Sequence, residues 1–286
     1  MWTSLPRLTA LIIAIGLVGC ATLAEKAGDR LADSLSAGIG NARDVETVRS
    51  GLPAYLLLID GFIHTNPDSG GMLLAGARLY SAYAGGFVSD AERARRLADL
   101  GLDYARRGIC VDHKSFCSAL IGNDFADFER ELGKLSEDEL GDLYVLASSY
   151  AAWVRADPGD FARLAELPRI EALLRRVTEL KRDHDHGNAL AYLGVMNCLR
   201  PESLGGRPQL GKTLLAEAFQ VSGDRNYMTK VLEAEFCARL LFDQERHDQL
   251  LNDVLAADPV TDDLTLSNVI AQDRARQLIE SGKDYF

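Results

Sequence analysis

Apolar residues recur at three- and four-residue intervals along nearly the whole chain beyond residue 44, the signature of helices that bury one face. One run carries Tyr55, Leu56, Ile59, Phe62 and Ile63 on a wide apolar face, and the next carries Leu73, Leu74, Ala77, Leu79, Tyr80 and Tyr83. Local chemistry marks their ends. Asp44 opens a helix, Pro53 suits the first turn of the following one, and Asn66-Pro67-Asp68 breaks it. Asp90 caps a helix over 91–107, and Ser136 with Glu139 forms a capping box ahead of 140–155. The same pattern predicts helices over 72–87, 168–182, 187–198, 209–221, 228–242, 247–256 and 264–281. Gly, Pro and Asp clusters separate these runs at short intervals, and no stretch sustains a period of two. The expected fold is all-α, with links short enough to force neighbouring helices into antiparallel pairs.

A run of helix pairs invites a search for repeats. Leu193-Gly194 fits the first helix of a tetratricopeptide-like pair, and Gly211, Leu215, Ala218 and Gly223 fit the second, with an insertion at Pro201–Gly206 between them. Ile170, Leu174 and Val177 repeat the second-helix spacing, and Ala94, Ala98 and Gly101 repeat it loosely. Small residues matter at these positions because two helices approach closely only where side chains are absent. Stacked pairs of this kind are expected to form a compact superhelix, and if they curve enough, solenoid geometry allows side chains of the inner helices to converge on a central pore.

The first twenty residues follow a different pattern. Arg7 precedes an apolar run from Leu8 to Leu17, interrupted only by Thr9 and Gly16, and Leu17-Val18-Gly19-Cys20 resembles the lipobox of a bacterial lipoprotein. The run is short for a span, which needs roughly 20 apolar residues, so residues 1–19 read as a cleaved export signal. The lipobox resemblance implies that Cys20 becomes the acylated N-terminus, tethered durably because two or more chains are anchored together. Ala21, which is not acidic, directs such a lipoprotein onward to the outer membrane. Residues 20–43 then form a linker or a weak amphipathic helix with Leu23, Ala27, Leu31 and Leu35 on one side, and 44–286 form the helical-repeat domain.

Export changes how the remaining composition is read. Removing the leader leaves 267 residues with 30 basic and 42 acidic side chains, a formal charge of −12. That balance excludes nucleic acid as a partner and provides no basic patch for anionic lipid heads. Cys110, Cys117, Cys198 and Cys237 are an even number in an oxidising compartment, with three pairings open. Gly108 and Asp112-His113 suggest a helix ending between Cys110 and Cys117, which favours a local bridge and leaves Cys198 to meet Cys237. Metal binding at Cys110-Val111-Asp112-His113 and buried free thiols are the alternatives.

Two motifs tempt a reading as a chemical site. Gly206 to Thr213 satisfies the Walker A pattern, but the residues before it cannot be a core strand and Pro208 lacks an N–H that a phosphate loop would use, so a turn between helices is expected with Lys212 at the surface. Asp183-His184-Asp185-His186-Gly187 lacks the ligand spacing of a calcium loop, and its two histidines are expected to be solvated. No Gly-x-Ser-x-Gly elbow is present. Tyr80, Tyr83, Tyr150, Trp153 and Tyr192 lie on helical faces, as core residues or as the lining of a ligand channel. No catalytic residue, metal or cofactor is expected.

Several segments, taken in order, resemble the T-component lipoproteins of TRAP (tripartite ATP-independent periplasmic) transporters. They are Asp44 to Asp60, Asn66-Pro67-Asp68 with Leu79-Tyr80, Leu143-Tyr144 through Trp153, Leu167 to Leu174, and Leu193-Gly194-Val195. Leu204-Gly205-Gly206, Gly223 to Asn226 with Lys230-Val231 and Ala234-Glu235, and the closing 268–271 and 284–286 complete the match. The resemblance implies a periplasmic, lipid-anchored, trimeric protein with a pore through each protomer, partnering the solute-binding P-component. Asn226, Lys230 and Glu235 are this chain's versions of polar positions that recur in the family, and stand as candidate pore or ligand residues. The alternative is a structural lipoprotein scaffold in envelope assembly with no ligand of its own.

Overall fold

The computed structural model describes residues 34–286. The leader, Cys20 and the apolar positions Leu23, Ala27 and Leu31 lie outside those residues. Residues 34–40 are helical. They lead through a short turn into α1 (Val45–Thr65), followed by α2 (Gly70–Gly86), α3 (Ala91–Asp112), α4 (Lys114–Ile121), α5 (Phe125–Leu132), α6 (Leu140–Ala156), the one-turn α7 (Phe161–Leu164) and α8 (Leu167–Leu180). Then come α9 (Asn188–Asn197), α10 (Pro208–Val221), α11 (Met228–Leu232), α12 (Gln244–Ala256) and α13 (Thr265–Tyr285). No strand occurs among the described residues, and none of their helices is long and apolar enough to cross a membrane. The protein is all-α.

The expected caps are present. Asp44 accepts from the backbone N–H groups of Glu46 and Thr47, Asp90 from that of Arg93, and Ser136 with Glu139 closes the capping box. Four differences from the expected boundaries have an informative cause or consequence. Pro53 lies inside α1, which runs unbroken from Val45 because the carbonyl that loses its partner belongs to exposed Arg49. The third helix runs on to Asp112, five residues past its expected end. Two eight-residue helices, α4 and α5, occupy the stretch before Ser136. The run from Met228 is not one regular helix, because Glu233–Ala238 form a wider π turn. There Glu233, 3% exposed, is held by Arg246 at 2.8 and 3.2 Å, and Cys237 bonds to Cys198.

Packing divides the core unevenly. The largest apolar cluster spans α1 to α9, with Leu266 of α13 joining it, and is centred on Leu73, Ile109, Phe116, Leu143, Leu146, Tyr150 and Leu173. Val231, Leu250, Leu251, Val254, Ala271 and Leu278 join α11, α12 and α13 into a second cluster. Between them lies a small bridge made of Leu190, Cys198, Leu215, Ala218 and Cys237. The two disulfides stitch at different ranges. Cys110–Cys117, with Cα atoms 4.7 Å apart, ties the end of α3 to α4, whereas Cys198–Cys237, at 5.0 Å, joins α9 to the π turn.

At that bridge the small residues of the repeat spacing have a steric role. A Cβ on Gly211 would lie 2.7 Å from the carbonyl oxygen of Gly194, and one on Gly194 would lie 3.0 Å from the carbonyl oxygen of Gly211. The α9 and α10 backbones are therefore in contact, and Cys198 fills the space beside Gly211. The Walker-like stretch is the loop entering α10. The N–H groups of the loop itself are already spent, that of Gly206 on the Pro201 carbonyl and that of Arg207 on Asn197, so the loop does not form a phosphate cradle. Pro208 stands at the first helical position, and Lys212 is half-buried one turn on. Gly211→Ala should lower stability in urea unfolding by about 1–3 kcal/mol, the cost of forcing an extra methyl into a packed contact. Gly141→Ala, where a Cβ meets nothing within 4 Å, should instead raise it by up to about 1 kcal/mol.

Candidate functional site

A cavity of about 530 Å³ opens where four parts of the chain meet: the 34–40 helix (Ser36, Ala37), α2 (Arg78), the link between α8 and α9 (Asp185, His186, Asn188) and the start of α13 (Asp263, Leu264, Ser267). Its lining is polar and of mixed charge. Arg78 stands on the exposed face of α2, and the Asn41 side chain holds Asp263 at both ends, with Asp263 N–H donating to Asn41 Oδ1 at 2.9 Å and Asn41 Nδ2 donating to Asp263 Oδ1 at 3.3 Å.

The α8–α9 link has the most unusual backbone among the described residues. Asp185 (φ 48°), His186 (φ 56°) and Gly187 (φ 75°) are left-handed in succession. A non-glycine residue held there costs of order 1–3 kcal/mol and persists only when its surroundings over-determine it. At position 187 glycine is required twice over, since a Cβ would also lie 2.9 Å from the Ala218 carbonyl oxygen of α10. The other two residues are held by amides. Asn226 Nδ2 donates to the His186 carbonyl at 3.3 Å and to Asn188 Oδ1 at 2.9 Å, and Asn188 Nδ2 donates to Asp185 Oδ2 at 3.0 Å.

Asn226 is 1% exposed and its own position is fixed in turn. Its N–H donates to Ser222 Oγ, and its carbonyl accepts from Thr229 Oγ1. A second buried amide, Asn268 on α13, accepts from the Tyr227 N–H at 3.0 Å and donates to the Arg225 carbonyl at 3.0 Å. Sequence reasoning missed Asn268 and Arg78. Asn268 is an asparagine in an apolar helix face, a signal that could have been read, whereas nothing in the sequence distinguishes Arg78 from any other exposed arginine.

The turn's electrostatics extend beyond the cavity wall. His184 meets Tyr144 edge to face at 5.2 Å between ring centroids. Burial pushes the His184 imidazole below its ordinary pKa, with Asp185 pulling the other way and Arg78 and Lys181 pushing with it. Burial, reinforced by Asp185, holds the Tyr144 hydroxyl well above the ordinary tyrosine range. The hydroxyl of Tyr192 is raised by burial too, although part of its ring reaches solvent, and Arg155 opposes the shift. The two histidines of the Asp183–Gly187 stretch are therefore not simply solvated: both are half-buried, one against Tyr144 and one in the cavity wall. Among the described residues no three His, Cys, Asp or Glu groups converge as metal ligands.

The three polar candidates from the sequence are separated. Asn226 reaches the cavity through the turn it holds. Lys230 instead pairs with Asp253 of α12 at 2.9 Å, its ammonium 4.9 Å from the Phe219 ring centroid. Glu235 pairs with Arg274 of α13. Both are clamps between helices rather than cavity residues. Of the aromatic candidates, Tyr80, Tyr83 and Tyr150 are buried. Tyr80 donates to Asp60 at 2.5 Å, and Trp153 donates to Asp99 at 2.7 Å.

His184 supplies a pH signature. Its folded-state pKa lies below the ordinary value of about 6.5, so the unfolded chain takes up the proton first as pH falls. Its contribution to stability is complete above about pH 6.5 and is lost as pH drops through the folded value. The urea midpoint should fall between about pH 7 and pH 5, and His184→Phe, which keeps the contact with Tyr144, should flatten that part of the slope.

Residues 41–286 match the TRAP transporter T-component family. A protein of Treponema pallidum (strain Nichols), described as uncharacterized, is 24% identical over 260 residues, covering 85% of this chain and 80% of that protein. The family match spans α1 to α13, including the left-handed turn and the amides that hold it, and the chain belongs to the TRAP transporter T-component family.

Proposed function

We propose that this protein is a lipid-anchored accessory component on the periplasmic side of a TRAP system, tethered through Cys20, which binds the solute-binding P-component and admits a polar solute to the Arg78 cavity. Family membership supports the transporter role. The observation that carries the ligand reading is the cavity itself: about 530 Å³, lined by one arginine and by a strained turn that two asparagines hold in place. Strained backbone held in place by dedicated hydrogen bonds is characteristic of ligand sites. The two bonded cysteine pairs suit an oxidising compartment. Ala21 supports onward sorting to the outer membrane.

Self-association has a surface available. The outer side of α1 carries Tyr55, Leu57, Leu58 and Phe62, which are 40%, 74%, 48% and 44% exposed. Ala54 and Gly61 lie exposed on the same face, which has no fully charged residue between Gly51 and Phe62 except half-buried Asp60. A contiguous apolar face of this kind on an otherwise acidic protein is a contact surface, and the second copy expected of a trimer is its occupant. The acidic remainder of the surface favours a partner of complementary charge.

Analytical ultracentrifugation of the mature chain carrying Cys20→Ser, alone and with the solute-binding protein encoded beside it, tests the reading. The expected result is a trimer that co-sediments with the partner, and Leu58→Asp should shift it to monomer with its helical circular dichroism intact. A strict monomer indifferent to the partner across micromolar concentrations would replace this reading with the envelope-assembly scaffold.

A further inference from the structure

A second, smaller cavity of about 180 Å³ lies apart from the Arg78 cavity, between α3, the C-terminal end of α4 and the start of α8. Arg106, Leu120, Ile121, Gly122, Asn123, Glu166 and Arg169 line it. The charged groups are built in rather than floppy. Arg106 donates through Nε and Nη2 to the hydroxyl of fully buried Tyr150, at 3.2 and 3.0 Å, and its guanidinium lies 4.9 Å from that ring's centroid. Arg169 donates to the Leu120 carbonyl at 2.7 Å and to the Gly122 carbonyl, and lies 5.1 Å from the Phe128 ring centroid. The Cys110–Cys117 bond holds α4 against α3, and so fixes the Leu120–Asn123 edge relative to Arg106.

Hydrogen-bond accounting leaves capacity on both sides. A guanidinium carries five N–H groups, and each arginine spends only part of its fork on the protein. Glu166 is 3.7 Å from Arg169 Nε, too long for a hydrogen bond, and its buried Oε2 has no hydrogen-bond partner among the described residues. A buried carboxylate oxygen without a donor is costly and calls for an explanation. The cavity thus presents two forked cations suited to a carboxylate and one acceptor suited to an ammonium. Its volume equals that of about six waters of bulk liquid.

We infer that this cavity is a binding site for a small zwitterion of the α-amino acid class, its carboxylate held by Arg106 and Arg169 and its ammonium donating to Glu166. Leu120 and Ile121 leave room for a short apolar side chain. The site does not depend on the transporter reading, since it shares no residue with the Arg78 cavity.

L-alanine and propionate share a carbon skeleton and differ in the ammonium group, so isothermal titration of the full mature chain with each isolates the two halves of the site. L-alanine should bind saturably and propionate about tenfold more weakly or worse. Glu166→Gln should erase the difference between them, and Arg106→Gln should abolish both, with circular dichroism confirming that each variant is folded. Three results would overturn the assignment: no saturable heat from L-alanine up to about 10 mM, propionate or sulfate binding as tightly as L-alanine to the unsubstituted chain, or L-alanine binding that survives Arg106→Gln. Should Arg106→Gln fail to fold, the alanine–propionate comparison with Glu166→Gln decides the matter alone.

Discussion

The Asn226 amide donates to the His186 carbonyl and to the Asn188 side chain, and in doing so fastens the C-terminal helices to the link between α8 and α9. Much of the protein's organisation depends on that contact. The apolar core is uneven: α1 to α9 share one cluster, into which α13 also reaches with Leu266, α11 to α13 share another, and a small bridge around the α9–α10 crossing lies between them. Apolar burial alone would set their relative placement only loosely, because the hydrophobic effect is non-directional. The amide fixes where they meet. It also holds Asp185 and His186 in a conformation neither would adopt unaided.

The arrangement relies on directional and covalent links wherever apolar area is small. Gly194 and Gly211 bring α9 and α10 into backbone contact, which leaves no side chains to interlock, and the Cys198–Cys237 bond crosses the same spot. Farther along, buried Glu233 with Arg246, and the partly exposed pairs Lys230–Asp253 and Glu235–Arg274, join α11 and the π turn to their neighbours. Exposed ion pairs contribute little each, with a median of about 0–1 kcal/mol, so their role is register more than stability.

Periodicity and capping residues made most of the helices legible, because caps and apolar stripes are local properties. Pro53 misled for the opposite reason: its cost depends on whether the carbonyl it orphans can reach water, and Arg49 happens to be exposed. The α5 helix had a usable signal in Asp124 followed by Phe125, Phe128 and Leu132, and its brevity hid it. The π turn had none, since its width serves a distant arginine and a distant cysteine. Of the candidate site, the sequence pattern starts a helix at Gly187, which is instead a left-handed glycine just before one. The two before it could not be foreseen, since the turn that holds them is anchored by an amide 38 or more positions away. Lys230 and Glu235 resembled ligand residues because a clamp between helices and a group facing a ligand use the same side chains.

The coupling attributed to Asn226 is most directly tested by hydrogen exchange on the full chain, with and without Asn226→Ala. If the amide joins the two clusters, residues 184–189 and 222–231 lose protection together in the variant, and 91–112 in the first core keep theirs. If 184–189 retain their protection while only 222–231 loosen, the left-handed turn is held by something other than Asn226, and the two clusters are not joined in this way.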